Sequence, residues 1–207
     1  SSWSESLLAM VDSMHPIRRS LDARVVQILG GIGNPAAEVY ASRLTERLAN
    51  LVKGEAVFLP APGITKSYQA QQLLLEEEYV ARALSLFSNI SLALVGIGSI
   101  EPSKLLASSG NIFAEDELET LRSTGAVGDI CLRFFGADGQ AVISDFDNRV
   151  IGMSLEQLRS VPRTIGIAGG KRKHNAILGA LRGRWINVLI TDRFTAEWLT
   201  TYEGLKN

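Results

Sequence analysis

Cysteine and histidine are almost missing from this sequence, and their scarcity removes several kinds of chemistry. One of the 207 residues is cysteine, Cys131, so no disulfide can form within the chain. The two histidines, His15 and His174, lie far apart and neither has a cysteine beside it, which leaves no usual ligand set for zinc. Cys131 falls in the largely apolar run 130–135, which predicts a buried core side chain. Such cysteine usage is typical of a reducing compartment, and we expect a cytoplasmic protein.

An excess of charge of either sign is also absent. The formal net charge is −1 at pH 7, without the basic surplus that marks a domain binding nucleic acid directly. Any contact with DNA must therefore come from another part of a longer protein. No apolar run approaches the roughly 18 residues that span a membrane, and residues 1–14 lack the basic start and cleavage site of a signal peptide.

The glycine fingerprints of nucleotide-binding proteins are missing as well. Gly31-Ile32-Gly33 lacks the later glycine of the dinucleotide motif, and no Gly-Lys-Ser or Gly-Lys-Thr loop occurs. Ser99 follows a predicted strand but stands outside a nucleophile-elbow pattern. We therefore expect no cofactor, no metal and no catalytic residue.

What the chain does contain is a repeating order of short apolar strand, glycine-rich break and helix. The pattern predicts strands over 24–29, 56–59, 91–95, 164–168 and 187–191, and helices over 35–51, 67–87, 115–124, 154–160, 173–181 and 194–203. The strands are continuous apolar runs, as expected for strands buried on both faces. This order predicts an α/β domain with a Rossmann-like, mostly parallel sheet and helices on both faces.

One stretch interrupts the alternation of strand and helix. Residues 129–135 and 140–143 are predicted strands on either side of Gly136-Ala137-Asp138-Gly139, and Asp-Gly is a frequent hairpin turn. We therefore expect a β-hairpin insertion in the parallel sheet. Further on, Ser154 and Gln157 have the spacing of a capping box, which predicts the start of a short helix.

Five segments rich in glycine or polar residues follow predicted strands. They cover residues 30–34, 60–63, 96–99, 169–173 and 191–192. In an open parallel sheet, ligands bind beyond the carboxyl ends of the strands. Glycine lets backbone N–H groups approach an anion there, and the start of the following helix favours negative charge. One such loop is equally typical of an ordinary turn, but several at one edge predict a shared crevice.

Charged residues next to these loops are the candidates for ligand contacts. Lys173 ends the basic run 171–173 at a predicted helix start, where cations oppose the helix dipole and an anionic ligand would relieve the conflict. The alternative is a solvated basic turn. Asp129, near the start of a strand, can accept hydrogen bonds from neighbouring hydroxyls or serve as a cap or ion-pair partner. For Asp192 we favour a capping role at the last helix.

The order of these motifs resembles the effector domain of SorC/DeoR-type bacterial transcription regulators. The resemblance covers residues 20–200 and is carried by Gly30-Gly31-Ile32-Gly33, Leu59-Pro60-Ala61-Pro62-Gly63, Val95-Gly96-Ile97-Gly98-Ser99, Gly125-Ala126-Val127-Gly128-Asp129-Ile130, Phe134-Phe135 with Asp138-Gly139, Asn148-Arg149-Val150-Ile151-Gly152, Ala168-Gly169-Gly170 with Lys173, and Leu189-Ile190-Thr191-Asp192. It implies a fold akin to ribose-5-phosphate isomerase, glucosamine-6-phosphate deaminase and CoA transferases. It also implies binding of a phosphorylated sugar or polyol, assembly as a dimer or tetramer, and DNA contact through a helix-turn-helix segment that this sequence does not show.

The resemblance further implies a ligand site drawn from all of these loops. By position, its residues are Gly30, Gly31, Ile32, Gly33, Asn34, Pro62, Gly63, Gly98, Ser99, Asp129, Gly170 and Lys173. The first loop would bind an anion or hydroxyl through its amides, Asp129 would bind hydroxyls and Lys173 would meet a phosphate. Some members have Thr where this chain has Ile32-Gly33 and a basic residue near Pro62, so an unphosphorylated polyol stays open as the ligand.

Two further positions relate this chain to the family pattern. In some relatives a lysine of the second loop forms a Schiff base with an aldehyde sugar, and Lys66 lies near that place. The Phe134-Phe135 pair is often followed by Asp, whereas Gly136 follows here, so a role carried by that Asp does not transfer to this chain.

The function we predict is sensing, without enzymatic activity. Residues 1–20 are expected to be the remnant of a linker helix, and residues 21–207 the effector domain, whose ligand changes oligomerisation and DNA binding. The alternative on the same scaffold is a sugar-phosphate isomerase or deaminase, which needs a general base and a partner acid. Asp129 is the attractive base, and no matching acid or histidine stands near it in the motifs.

Overall fold

Helices and strands alternate along most of the chain. The computed structural model describes residues 4–20, 22–31, 35–100 and 115–202. The helices there are α1 (Glu5–Asp12), α2 (Pro35–Val52), α3 (Tyr68–Glu76), α4 (Glu78–Ser85), α5 (Glu115–Ser123), α6 (Leu155–Ser160), α7 (His174–Arg182) and α8 (Arg193–Thr201). The strands are β1 (Arg24–Val26), β2 (Glu55–Val57), β3 (Leu92–Gly96), β4 (Gly98–Ser99), β5 (Ala126–Ile130), β6 (Arg133–Gly136), β7 (Arg163–Ile167) and β8 (Val188–Ile190). Short 3₁₀ turns cover Leu86–Asn89, Asp145–Arg149 and Lys171–Lys173. The predicted mixed α/β class is confirmed.

Two of the three groups of paired strands are parallel. β1 pairs with β2, and β7 lies between β3 and β8 in a second group of three strands. β4, β5 and β6 form an antiparallel group, in which Gly98 faces Asp129 and Ser99 faces Gly128. Since β4 begins two residues after β3 ends, the antiparallel group is attached to the carboxyl end of a parallel strand.

The strand β3 is packed on both faces, as its unbroken apolar sequence predicts. Ala93 and Val95 are buried in the largest hydrophobic cluster, which also holds residues of α4 and α7. Leu94 points the other way and packs against a second cluster built from α1, α2 and Ile167. Helices therefore cover both faces of the parallel strands, as expected for this class of fold.

The N-terminal helix α1 is part of this packing. Its Leu7 and Val11 are fully buried against Leu44 and Leu48 of α2. Ser4 caps the helix by accepting a hydrogen bond from the Leu7 amide at 3.0 Å. Part of the segment that we expected to be a linker remnant thus contributes core residues to the domain.

The predicted hairpin forms only in part: the strand expected over 129–135 is broken into β5 and β6, and residues 140–143 form no strand. β5 and β6 are joined by a two-residue turn at Cys131 and Leu132, whose φ angles are 56° and 60°. Glycine or asparagine usually marks such a turn, so the residue types at these two positions did not predict it. The Asp138-Gly139 turn also forms, with Phe135 bridging to Ala141 behind it.

Helix starts and stops show which local signals were decisive. Ser154 and Gln157 make the predicted capping box at α6, with bonds of 2.9 and 3.1 Å. The helix expected over 67–87 instead breaks at Glu77, which has extended backbone angles. A second helix then starts at Glu78, whose negative charge in the first turn is favourable to the helix dipole. Among the helices within the described ranges, none has the length and apolar character to cross a membrane.

Candidate functional site

Four of the residues predicted for the site meet where β3 passes into β4. The antiparallel register places Gly98 opposite Asp129 and Ser99 opposite Gly128. Lys173 reaches the same place from the turn before α7, because its Nζ donates to the Ile97 carbonyl at 2.7 Å. Residues that are far apart in sequence thus lie side by side at the carboxyl end of a parallel strand, where ligands bind in such sheets.

The carboxylate of Asp129 occupies the space above Gly98. A Cβ atom at Gly98 would lie 1.9 Å from Oδ1 of Asp129, closer than any side chain tolerates. The other oxygen, Oδ2, accepts a hydrogen bond from the Leu132 amide at 3.1 Å. The tight turn at Cys131 and Leu132 provides this donor by folding the chain back over Asp129. Glycine at position 98 is therefore a requirement of the site and not only of the strand connection.

The pKa of Asp129 is raised from 3.8 to about 6, chiefly because burial removes the carboxylate from water. The Leu132 amide and the charge of Lys173 act in the opposite direction and limit the rise. The residue nevertheless keeps intermediate solvent exposure. A carboxylate that is enclosed by protein but still reachable from solvent is what the wall of a small-molecule cleft provides.

The turn that carries Lys173 is anchored on its far side. His174 begins α7 and stacks on Trp198 of α8, with ring centroids 4.2 Å apart. Lys171 and Arg172 on the same turn are exposed to solvent, whereas Lys173 is half-buried. Of the three cations in the basic run, Lys173 is the one directed at Asp129 and Gly98.

A second group of predicted residues is formed by the first two loops. The Gly31 amide donates to the Ala61 carbonyl at 2.8 Å, and the Gly63 amide donates to the Gly31 carbonyl. A Cβ at Gly30 would fall 2.6 Å from the Pro62 carbonyl oxygen, so the two loops are in direct backbone contact. Gly30, Gly31, Pro62 and Gly63 are therefore brought together, while Ile32, Gly33 and Asn34 lie outside the described residues.

Arg133 joins the Asp129 hairpin to the second of these loops. Its guanidinium donates to the carbonyl and the carboxylate of Asp147, both at 2.9 Å, and its side chain is 13% exposed. It also reaches the Val150 carbonyl, and Val150 bridges to Ile64 directly after Gly63. The two groups of predicted residues are thus connected through one buried arginine, which the motif analysis did not single out.

Gly170 is held from within the protein. Its amide donates to Oδ2 of Asp192 at 2.7 Å and to the Thr195 hydroxyl at 3.0 Å. Asp192 caps α8, as predicted, by accepting a bond from the Thr195 amide at 2.9 Å. These hydrogen bonds, those from Thr195 first, lower the pKa of Asp192 to about 2. The Gly170 amide therefore already has acceptors, and it positions the turn of Lys173.

Two backbone groups of the site escaped sequence reasoning. They are the Ile97 carbonyl, which binds Lys173, and the Leu132 amide, which binds Asp129. Neither is visible in residue types, because every residue offers a carbonyl and nearly all offer an amide. Their roles follow only from the register of β4 against β5 and from the turn after Ile130.

Comparison with known proteins places this arrangement in a family. The family model described as "Putative sugar-binding domain" matches residues 1–200. The chain belongs to this sugar-binding domain family. Members of the family to which the chain is similar are bacterial transcriptional regulators and are not named as enzymes.

Among curated relatives of this sugar-binding domain, the deoxyribonucleoside regulator of Bacillus subtilis (strain 168) is 32% identical over 198 residues, covering 96% of this chain and 62% of the relative. The sorbitol operon regulator of Klebsiella pneumoniae is 30% identical over 200 residues, covering 96% and 63%. The chain thus spans about three fifths of the length of these relatives.

Solved structures agree with the family assignment. The full-length sorbitol operon regulator SorC from Klebsiella pneumoniae superposes with a TM-score of 0.88 at 28% identity, covering 96% of this chain and 63% of that one. The sugar-binding domain of the regulator DeoR from Pseudomonas syringae pv. tomato is 41% identical, with a TM-score of 0.70 over 95% of this chain and 72% of that one. The resemblance inferred from the motifs is confirmed.

Proposed function

We propose that this domain is the effector sensor of a cytoplasmic transcription regulator, and that it binds a sugar phosphate or polyol at the carboxyl edge of its parallel strands. The ligand-binding residues in this proposal are the twelve predicted from the motifs, with Asp129 and Lys173 as the polar centre. The DNA-binding segment would be the helix-turn-helix of a longer protein. The membership in a family of sugar-binding regulator domains supports this proposal.

The observation that carries the proposal is the convergence of Asp129, Lys173 and Gly98. A carboxylate accepts hydrogen bonds from two hydroxyls at once, and an ammonium group donates up to three. The two groups are joined through the backbone at Gly98. The Asp129 carboxylate lies against Gly98, and the Lys173 ammonium donates to the carbonyl of the preceding residue, Ile97. Such a pair can bind adjacent oxygens of a polyhydroxylated molecule.

Signalling would follow from the contacts that surround the ligand pair. Arg133 connects the Asp129 hairpin to the second loop, and His174 connects the Lys173 turn to α8. A ligand that favours one arrangement of these elements shifts the population between two states of the regulator. The free energy by which the ligand shifts this population is set by the difference between its binding free energies to the two states.

The edge of β8, which has no further strand beside it among the described residues, supports assembly with a second copy of the chain. Val188 and Ile190 are 38% and 44% exposed on the same sheet face as the covered residues Ile165 and Ile167. Phe194, at the start of α8 next to this edge, is 77% exposed. We propose that two copies meet here about a twofold axis, which is the commonest symmetry of soluble homo-oligomers.

A thermal-shift screen against sugar phosphates and polyols tests the binding site. A ligand that binds only the folded protein raises the melting temperature by mass action. We expect a hit with the unmodified chain and with Lys171→Ala, because Lys171 is exposed and only Lys173 of the basic run acts on the charge of Asp129. Lys173→Ala and Asp129→Ala should lose at least about tenfold in affinity. An unchanged shift in both variants would place the ligand elsewhere and refute the proposed site.

A further inference from the structure

A groove lies between the strand β2 and the helix α4, and it shares no residue with the candidate ligand site. Its volume is about 460 Å³. Residues 55–58 of β2 and the residue after it line one wall, and Tyr79, Arg82, Ala83 and Leu86 line the other. Since none of the twelve residues predicted for the ligand site lines it, the groove is a separate surface.

The strand β2 presents an open backbone edge to this groove. The Glu55 amide donates to the Ala23 carbonyl, and the Gln27 amide donates to the Val57 carbonyl, both at 2.9 Å. In a parallel pair, the residue between those two on β2, Ala56, therefore directs its own N–H and C=O away from β1. Among the described residues, no further strand pairs with that side of β2. An extended chain laid along the groove can supply partners for both groups, which is recognition by strand addition.

The wall opposite this edge is one face of α4 and of the 3₁₀ turn that follows it. Tyr79, Arg82, Ala83 and Leu86 have the spacing i, i+3, i+4 and i+7, so they form a single stripe. Ala83 is buried and Leu86 is half-buried, whereas Tyr79 is 72% exposed. On the strand side, Phe58 is 42% exposed. Exposed aromatic side chains on both walls of one groove are typical of a surface that contacts a partner.

Two arginines determine the charge of the groove. Arg24 and Arg82 are exposed, and neither forms an ion pair within the part of the chain that the structure describes. Glu55 is paired with Arg24 in the strand register and is the one carboxylate among the lining residues, so two cations stand against one anion. Glu78, one turn before Arg82, does not line the groove. A guanidinium binds a carboxylate through paired hydrogen bonds. The charge therefore favours an acidic segment, whereas the same edge of a second copy would bring like charges together.

We infer that the groove between β2 and α4 binds a short, extended, acidic peptide segment of another protein by strand addition. The segment pairs its backbone with Ala56, places a carboxylate against Arg82 and an apolar side chain between Phe58 and Tyr79. The segment is short because the edge is closed soon after Phe58 by Pro60, which has no N–H to donate. This interaction is independent of small-molecule sensing at the candidate site.

Fluorescence polarisation with a labelled pentapeptide tests this inference. The probe is Thr-Val-Glu-Val-Thr, blocked at both ends and labelled with fluorescein. One matched peptide has Lys in place of Glu, and another has N-methyl groups on the central amides. We expect saturable binding of the Glu peptide, with an affinity at least about fivefold lower for each matched peptide. Hydrogen exchange at the Ala56 amide should slow in the complex.

Variants at exposed positions connect the binding to the groove while leaving the core intact. Arg82→Gln and Tyr79→Ser should each weaken binding of the Glu peptide by at least about fivefold. The matched controls are Arg184→Gln and Tyr68→Ser, which change exposed residues outside the lining. Both controls should bind the Glu peptide as the unmodified chain does.

Several outcomes would overturn the inference. Absence of saturable binding by the Glu peptide up to about 1 mM is one of them. Equal affinity for the Lys peptide would remove the acidic specificity, and equal affinity for the N-methylated peptide would remove strand addition. If the Glu peptide fails to bind and Arg82→Gln lowers the mass of the protein in light scattering, the groove is a contact between copies of this chain. Each of these results leaves the proposed sensor function untouched, because that function is tested with sugar ligands at other residues.

Discussion

At the residue scale, the contact between Gly98 and Asp129 allows a sharp prediction. Gly98→Ala places a methyl group where Oδ1 of Asp129 now lies, so the carboxylate must rotate away from Lys173. We expect the ligand-induced thermal shift to disappear, with circular dichroism showing a folded protein. The matched control is Gly166→Ala in β7, whose new methyl meets side-chain carbons of Ile186 at 2.8 and 3.1 Å and of Ile97 at 3.2 Å. Retained binding in Gly98→Ala would show that Asp129 does not contact the ligand.

The raised pKa of Asp129 predicts how stability depends on pH. Because the folded chain holds this proton up to about pH 6 and the unfolded chain only to about 3.8, the contribution of Asp129 to stability falls as pH rises through that window. Asp129→Asn cannot titrate and should therefore be more stable than the unmodified chain at neutral pH, by about 1–2 kcal/mol given its partial exposure. Near pH 4 the difference should shrink. Urea titrations at the two pH values measure it, and a constant difference would contradict the buried carboxylate.

Residue types predict some of the candidate site's side chains but not the backbone groups beside them. Asp129 and Lys173 were found because a carboxylate and a cation beside glycine-rich strand ends are chemically conspicuous. The partners that fix them, the Ile97 carbonyl and the Leu132 amide, are backbone atoms and leave no trace in composition. Sequence reasoning therefore selected the candidate side chains but could not tell that Lys173 already donates to the Ile97 carbonyl.

At the scale of elements, Arg133 holds the Asp129 hairpin against the 3₁₀ turn Asp145–Arg149. Arg133→Met keeps much of the apolar stem of the side chain but removes the bonds to Asp147 and Val150, so the half-buried Asp147 carboxylate loses its ion-pair partner and keeps its bond from the Ser144 amide. We expect a loss of about 2 kcal/mol in the free energy of unfolding, measured by urea denaturation. Arg193→Met is the matched control, since its ion pair with Glu197 is exposed and should contribute about 0.5 kcal/mol or less. Equal losses in the two variants would mean that Arg133 does not link the elements.

The elements themselves were predictable wherever a strong local signal existed. The Ser154 capping box and the Asp192 cap were read from side chains that compete for free amides, and both form as expected. The turn at Cys131 and Leu132 was not, because tertiary contacts hold two ordinary residues at positive φ. Both side chains are buried in the main core, and this packing offsets the backbone strain.

At the scale of the whole molecule, the exposed edge of β8 predicts an assembly. The double variant Val188→Thr with Ile190→Thr keeps residues that favour strands but makes the exposed surface polar. We expect it to shift the protein from dimer towards monomer in light scattering coupled to gel filtration, with an unchanged melting temperature extrapolated to low concentration. Ile143→Thr, a change at a residue that is 87% exposed and belongs to no strand of the sheet that contains β8, should leave the mass unaltered. An unaffected dimer in the double variant would move the interface to another surface.

The steric exclusion between positions 98 and 129 constrains how descendants of this protein could acquire a new specificity. Any side chain at position 98 collides with the carboxylate, so a lineage that first replaces Gly98 passes through a non-functional intermediate. The reverse order is open, because shortening or neutralising residue 129 creates the volume that a later substitution at 98 can fill. Adaptation to a different effector is therefore expected to begin at Asp129, and the history of one position becomes conditional on that of the other.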